Sequence, residues 1–238
     1  MKRAILDAII AACAEKRTLA LATNLQSGAQ VAMAEGNELG DLVASPAIRT
    51  AAADVLRHDK PATITTNDGT VFVQPFNPPL RMFIVGGVHI AQALAPMAAL
   101  AGYDVTVSDP RGSFASRERF PNIALSDQWP DEALAKFEPD GRTAIIALTH
   151  DPKLDDPALA LALRSPAFYI GALGSRNTHA ARLERLTAQG FSGEALARIN
   201  GPLGLALGGR SPAEIAIATL AQATQTLHAN GQQQRSMP

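Results

Sequence analysis

Four short groups of residues in this chain have the types and spacing to do chemistry. Thr149-His150-Asp151 sets a hydroxyl, an imidazole and a carboxylate side by side. Histidine moves protons near neutral pH and Asp151 could orient it, although adjacent residues usually point apart. Helix capping by Asp151 or Asp155 is the plain alternative. In Ser108-Asp109-Pro110-Arg111 the acid follows a glycine pair by about 20 residues, the spacing at which a carboxylate holds a ribose hydroxyl pair. Asp109 would repel a 2′-phosphate, Arg111 could reverse that preference, and a turn-forming Asp-Pro with a solvated arginine is the other reading.

The other two groups are glycine turns. Gly86-Gly87-Val88-His89 and Gly171-Ala172-Leu173-Gly174-Ser175-Arg176 each lead from an apolar run into a helical pattern. Glycine lets backbone come close to an anion, and a helix that starts there offers it unpaired N–H groups and about half a positive charge. The first turn departs from G-x-G-x-x-G/A, because Val88 stands where the second glycine belongs. His89 either touches a ligand there or caps and packs the helix. In the second turn Ser175 is placed to cap a helix carrying Arg176, His179 and Arg182, which predicts an anion site with charge-assisted bonds from arginine. A Ser-capped helix with solvated basic residues is the alternative.

These groups need a scaffold, and the hydrophobic pattern supplies one. Arg81 to Arg111 reads as an apolar strand, a glycine break, an amphipathic helix and a second strand ending at Asp109. Strands are predicted at 82–86, 104–108, 122–125, 143–149 and 167–171, with intervening segments that demand a parallel sheet. Helices are predicted over 156–164 and 176–189, and from Ser211-Pro212 to about His228 with Glu214 at the capping-box position. Residues 80–230 are therefore expected to form an α/β, Rossmann-like doubly wound domain. Ligands bind such sheets beyond the carboxyl ends of the strands, where all four groups fall.

Ahead of it, residues 1–76 read as a small α+β domain. It has a helix over 2–16, strands at 18–23 and 29–34 joined through Ser27-Gly28, and a helix from Ser45-Pro46 to about His58. A second hairpin turns at Asn67-Asp68-Gly69. Asn77-Pro78-Pro79 is the expected linker, since two prolines cannot continue a strand ladder. The polar tail 231–238 is expected to be disordered.

Composition narrows the function classes. Of 238 residues, 47% are hydrophobic and 18% charged, and 21 basic residues against 22 acidic leave a net charge of −1. That balance argues against a nucleic-acid or membrane-surface partner. Without an apolar run of about 18 residues or a signal-peptide core, a cytoplasmic location is expected. The single cysteine, Cys13, excludes an internal disulfide and a multi-cysteine metal site, and reads as a small buried hydrophobe on an apolar helix.

Several blocks recur in a known arrangement. In order they are Pro78-Pro79-Leu80-Arg81-Met82 running into GGVHIAQAL, Asp109-Pro110-Arg111 with Arg119-Phe120-Pro121, LTHDPKLDD, YIGALGSRNTHAARL, and GPLGL followed by GGRSPAEIAI. Over residues 78–220 the chain resembles the XdhC/CoxI family of xanthine dehydrogenase accessory proteins. The resemblance implies a non-enzymatic chaperone that binds the molybdenum cofactor, a molybdopterin, transiently. It would assist the cofactor's maturation and its insertion into xanthine dehydrogenase or a related molybdenum hydroxylase. A homodimer is implied, with a cysteine desulfurase as a further partner and the four residue groups lining the ligand.

Three departures from the family pattern stand out: Val88 replaces a glycine, Ala206 replaces an acid, and residues 38–45 lack the family's GGCxE cysteine. An NAD(P)-binding oxidoreductase with His150 as proton donor is the competing class. Against it stand Val88 and the absence of a Tyr-Lys hydride-transfer pair, Tyr103 and Tyr169 lying in apolar contexts. A nucleotide-sensing or scaffolding relative on the same fold is the third reading.

Overall fold

The computed structural model describes residues 2–34 and 36–229, so the tail 231–238 lies outside the described residues. The chain divides between Pro78 and Pro79 into two compact units. The first contains helix α1 (Arg3–Ala14), strands β1 (Leu19–Asn24), β2 (Gln30–Ala34) and β3 (Asn37–Gly40), helix α2 (Pro46–His58), and strands β4 (Ala62–Thr66) and β5 (Gly69–Phe76). Its antiparallel sheet runs β3-β2-β1-β5-β4. Alternation along β1 feeds two cores: Leu19 and Leu21 pack with Ile5, Ile9 and Ala12 of α1, while Ala20 and Ala22 pack with Ile48 and Val55 of α2. Cys13 corrects the sequence reading. Helix α1 buries Ile5, Ile9 and Ala12, and Cys13 falls on its exposed side.

The second unit begins with β6 (Leu80–Val85), α3 (His89–Leu100), β7 (Tyr103–Ser108) and β8 (Ala124–Ser126). It continues through α4 (Pro130–Phe137), β9 (Thr143–Ala147), α5 (Pro152–Arg164) and β10 (Tyr169–Ala172), and ends with α6 (Arg176–Ala188), α7 (Gly193–Leu196), β11 (Ile199–Asn200) and α8 (Pro212–Ala229). The sheet order is β11-β10-β9-β6-β7-β8, and every pairing is parallel. Counted from β6, this is the 3-2-1-4-5-6 order of a doubly wound sheet, with its switch point between β6 and β9.

Strands buried on both faces read as continuous apolar runs, as residues 82–85 of β6 and 144–147 of β9 do. Met82, Ile84, Ala144 and Ile146 pack under Leu94 of α3 and Ala216 of α8. On the opposite face Phe83, Val85, Ile145 and Ala147 meet Leu134 of α4 and Leu159 of α5. Arg81 ties the start of β6 to the end of α4: its guanidinium lies 3.8 Å over the Phe137 ring and donates to the Phe137 and Glu138 carbonyls.

Several boundaries shift from the sequence reading for physical reasons. Helix α5 starts at Pro152, not 156, because Asp151-Pro152 supplies an N-cap and a proline in the first turn. Strands β3 and β11 escape the pattern search, β3 being exposed along its whole length and β11 only two residues long. The capping box at α8 is present, with Glu214 Oε2 accepting from Ser211 N–H at 2.9 Å and Ser211 Oγ accepting from Glu214 N–H at 3.3 Å.

Phe83 is fully buried and meets Phe137 edge-on, with ring centroids 5.1 Å apart. Phe83→Ala is expected to cost about 3–5 kcal/mol, seen as a lower urea midpoint at unchanged m-value.

Candidate functional site

The carboxyl ends of β6, β7, β9 and β10, the loops that leave them and the helices that follow carry the four residue groups described above. Gly86 has φ +101°, and a Cβ there would lie 2.7 Å from Thr149 Cγ2, so the β6 and β9 loops are in contact only because position 86 is glycine. Gly87 donates its N–H to Asp109 Oδ2 at 2.9 Å. A Cβ on Gly87 would strike the Phe114 carbonyl, so residues 109–116 lie directly over the glycine turn. Val88 packs against the core beneath α3, and His89, the first residue of α3, is exposed.

Asp109 is wholly buried and its carboxylate is fully engaged. Besides the Gly87 amide it accepts from Arg111 N at 3.0 Å, Arg111 Nε at 2.8 Å and Arg111 Nη2 at 2.8 Å. Burial pushes this carboxyl up, but the bonds from Arg111 and Gly87 outweigh it and hold the group below the usual carboxylate range. The Arg111 guanidinium lies 4.2 Å over the Phe114 ring. Arg119 donates to the Phe114 carbonyl at 2.7 Å and to Gln92 of α3 at 2.9 Å, bracing the same loop. The structure thus joins Gly87, Asp109 and Arg111 into one network that holds the loop, with Asp109 buried and the Arg111 side chain partly exposed at its edge.

At the β9 loop, Asp151 caps α5 by accepting from Lys153 N–H at 2.9 Å, and does not orient His150. His150 is exposed, with φ +62°. Thr149 Oγ1 donates to Asp155 Oδ1 at 2.7 Å and accepts from Asp151 N–H at 3.1 Å. At the β10 loop, Gly171 is buried where a Cβ would lie 2.5 Å from Leu203 Cδ1, and Gly174 has φ +145°. Ser175 caps α6 by accepting from Thr178 N–H at 3.1 Å. Arg176 is exposed, and its side chain makes no hydrogen bond or ion pair among the described residues. It borders a cavity of about 300 Å³ walled by the 202–209 loop, Glu214, Ile215 and Ala218.

Sequence reading misses the buried pair that ties these loops together. Arg182 and Asp155 are 2% and 1% exposed. Arg182 Nη2 donates to the Leu173 carbonyl of the β10 loop at 2.8 Å, while Asp155 holds Thr149 of the β9 loop. The two face each other at 3.7 Å, beyond hydrogen-bond reach. Beside them Arg185 grips Asp156 with bonds of 2.5 and 3.0 Å. Two adjacent acids on one helix facing two arginines three residues apart on the next is the available signal. His179 turns away and packs over Gly201.

No group of three or more His, Cys, Asp or Glu side chains suited to a metal ion occurs among the described residues. A further cavity of about 190 Å³ in the first unit has mostly alanine and leucine walls, with Arg17 its one charged group, and carries no chemistry.

Comparison with known proteins adds to this geometry. The model of the XdhC Rossmann domain matches residues 82–223. The molybdenum cofactor insertion chaperone PaoD of Escherichia coli (strain K12) is 34% identical over 147 residues, 62% of this chain and 40% of PaoD. A probable xanthine dehydrogenase component of Bacillus subtilis (strain 168) is 30% identical over 164 residues, 68% of this chain and 46% of that protein. The chain spans less than half the length of both these curated relatives. A crystal structure of a xanthine dehydrogenase from Bacillus halodurans superposes with a TM-score of 0.73 at 22% identity, covering 99% of this chain and 67% of the other. At that identity the likeness speaks for the fold.

The Asp109 network makes an acid-limb prediction. Asp109→Ala is expected to cost about 1.5–3 kcal/mol, the range for hydrogen bonds to a charged group. Because the folded pKa lies below the unfolded value of about 3.9, the wild-type contribution is complete above that pH and lost as pH falls through the folded pKa. Urea midpoints between about pH 5 and pH 2.5 should fall more steeply for wild type than for Asp109→Asn.

Proposed function

The chain belongs to the XdhC family, and from that premise we propose that it carries the molybdenum cofactor as cargo. It assists the cofactor's maturation and its insertion into a xanthine dehydrogenase-type molybdenum hydroxylase. The observation that carries this reading is Arg176, uncommitted at the start of α6 and bordering the cavity of about 300 Å³. A capped helix start leaves the first N–H groups, here those of Arg176 and Asn177, for an anion, and the helix dipole adds to their pull. The cavity walls from Leu203, Leu205, Leu207 and Ile215 are apolar, which suits a flat heterocycle whose phosphate is held at the rim.

The first glycine turn fits a phosphate poorly. Its Gly87 amide is bound to Asp109, its approach is covered by Phe114, and Asp109 has no free oxygen edge for a ribose. This disfavours the NAD(P) oxidoreductase reading, which needs that turn open. Cargo contacts are accordingly proposed at Gly174, Ser175 and Arg176, with exposed His89 and His150 flanking the same end of the sheet. The chain's single cysteine, Cys13, lies in the first unit, and a cysteine desulfurase is proposed as the partner that supplies sulfur for molybdenum. A non-catalytic, cytoplasmic homodimer completes the proposal.

Titration with anaerobically prepared molybdenum cofactor tests the reading. Arg176→Ala should weaken binding about tenfold or more, since a charge-assisted bond is worth about 1.5–3 kcal/mol. Equal affinity in that variant would refute the phosphate assignment. A melting shift with NADH and none with the molybdenum cofactor would refute the function.

A further inference from the structure

We propose that the cavity between α5 and α6 binds a free, small tetrahedral oxyanion through the unpaired donors of Arg182. The cavity measures about 70 Å³ and is lined by His150, Asp155, Asp156, Thr178, Arg182 and Arg185, among others. That is well above the ~10–15 Å³ of accessible space one water needs, and below the ~300 Å³ at which pockets for larger organic ligands begin. Arg182 commits Nη2 to the Leu173 carbonyl, while its Nε and Nη1 are buried with no acceptor among the described residues. Asp155 Oδ2 is likewise buried and unpartnered. Buried polar groups are nearly always paired, so a guanidinium with spare N–H groups at a cavity wall calls for an acceptor. An oxyanion answers both its donors and its charge.

The acids in the wall do not prevent this. Asp156 is neutralised by its two bonds from Arg185. Asp155 faces Arg182 and Arg185 on α6, His150 in the β9 loop and Asp156 on its own helix, with Arg111 of the β7 loop within electrostatic reach. Burial raises the Asp155 pKa against the lowering pull of Thr149 and Arg182. When Asp155 takes a proton from solvent, Oδ2 becomes a further donor and the Arg182 charge is left uncompensated.

This assignment does not rest on the cofactor reading, because its readout is a bare ion. The full chain would be titrated calorimetrically, and its melting followed, with sodium phosphate, sulfate and molybdate against sodium chloride at equal ionic strength. At least one tetrahedral ion should stabilise the protein beyond chloride. Its binding should weaken about tenfold or more in Arg182→Lys, tighten several-fold in Asp155→Asn, and persist in Arg176→Gln. If Arg182→Lys does not fold, the Asp155→Asn comparison decides alone. No response beyond chloride, an unchanged response in Asp155→Asn, or loss of the response in Arg176→Gln would each overturn the proposal. Competition between the ion and the molybdenum cofactor would do so too, by making the cofactor's phosphate the occupant.

Discussion

A buried carboxylate must find donors or give up its charge, and Asp109 finds four at the ligand end of the sheet. One is the amide of Gly87, the group that a dinucleotide-binding turn would keep for pyrophosphate. The other three come from Arg111, which draws residues 111–116 back over the turn. Gly87 then has to be glycine, because the Phe114 carbonyl fills the space a side chain would take. This chain keeps a glycine turn at the end of its first parallel strand but uses it to anchor its own loop.

Closing that turn moves the available chemistry along the sheet to β9 and β10. There a second internal brace acts: Asp155 holds Thr149, and Arg182 holds the Leu173 carbonyl. Both loops are fixed from below by side chains that never reach the surface. Above them His89, His150 and Arg176 stay exposed. The division of labour is physical, since donors and acceptors already spent on another protein group are not free for cargo. Arg176 is the cation this arrangement leaves at a cavity rim.

Much of this is legible in the sequence. Unbroken apolar runs at 82–85 and 144–148, set between helical periods, read as central parallel strands, and the Ser-Pro and Asp-Gly signals mark helix starts and a hairpin. The four residue groups follow such runs, and each falls in a strand-end loop for that reason. What sequence cannot supply is the partner of each polar side chain. Asp109 has the spacing of a ribose-binding acid, yet Arg111 and the Gly87 amide reach it first. Asp155 reads as a candidate helix cap and Arg182 as part of an anion site or a solvated charge, and their facing each other becomes visible only when α5 and α6 are packed together. Cys13 has apolar neighbours that suggest burial, but α1 has only one covered face, and Cys13 is off it.

The proposed delivery of the molybdenum cofactor by this XdhC-family chain is tested most directly by transfer. Protein loaded anaerobically with the cofactor and freed of excess would be mixed with a cofactor-free xanthine dehydrogenase-type hydroxylase and a sulfur-donating partner, and hydroxylase activity followed. The account predicts activation that exceeds that of an equal amount of free cofactor and is lost with Arg176→Ala. Activation no better than free cofactor, or molybdenum retained on this chain while the hydroxylase stays empty, would contradict it.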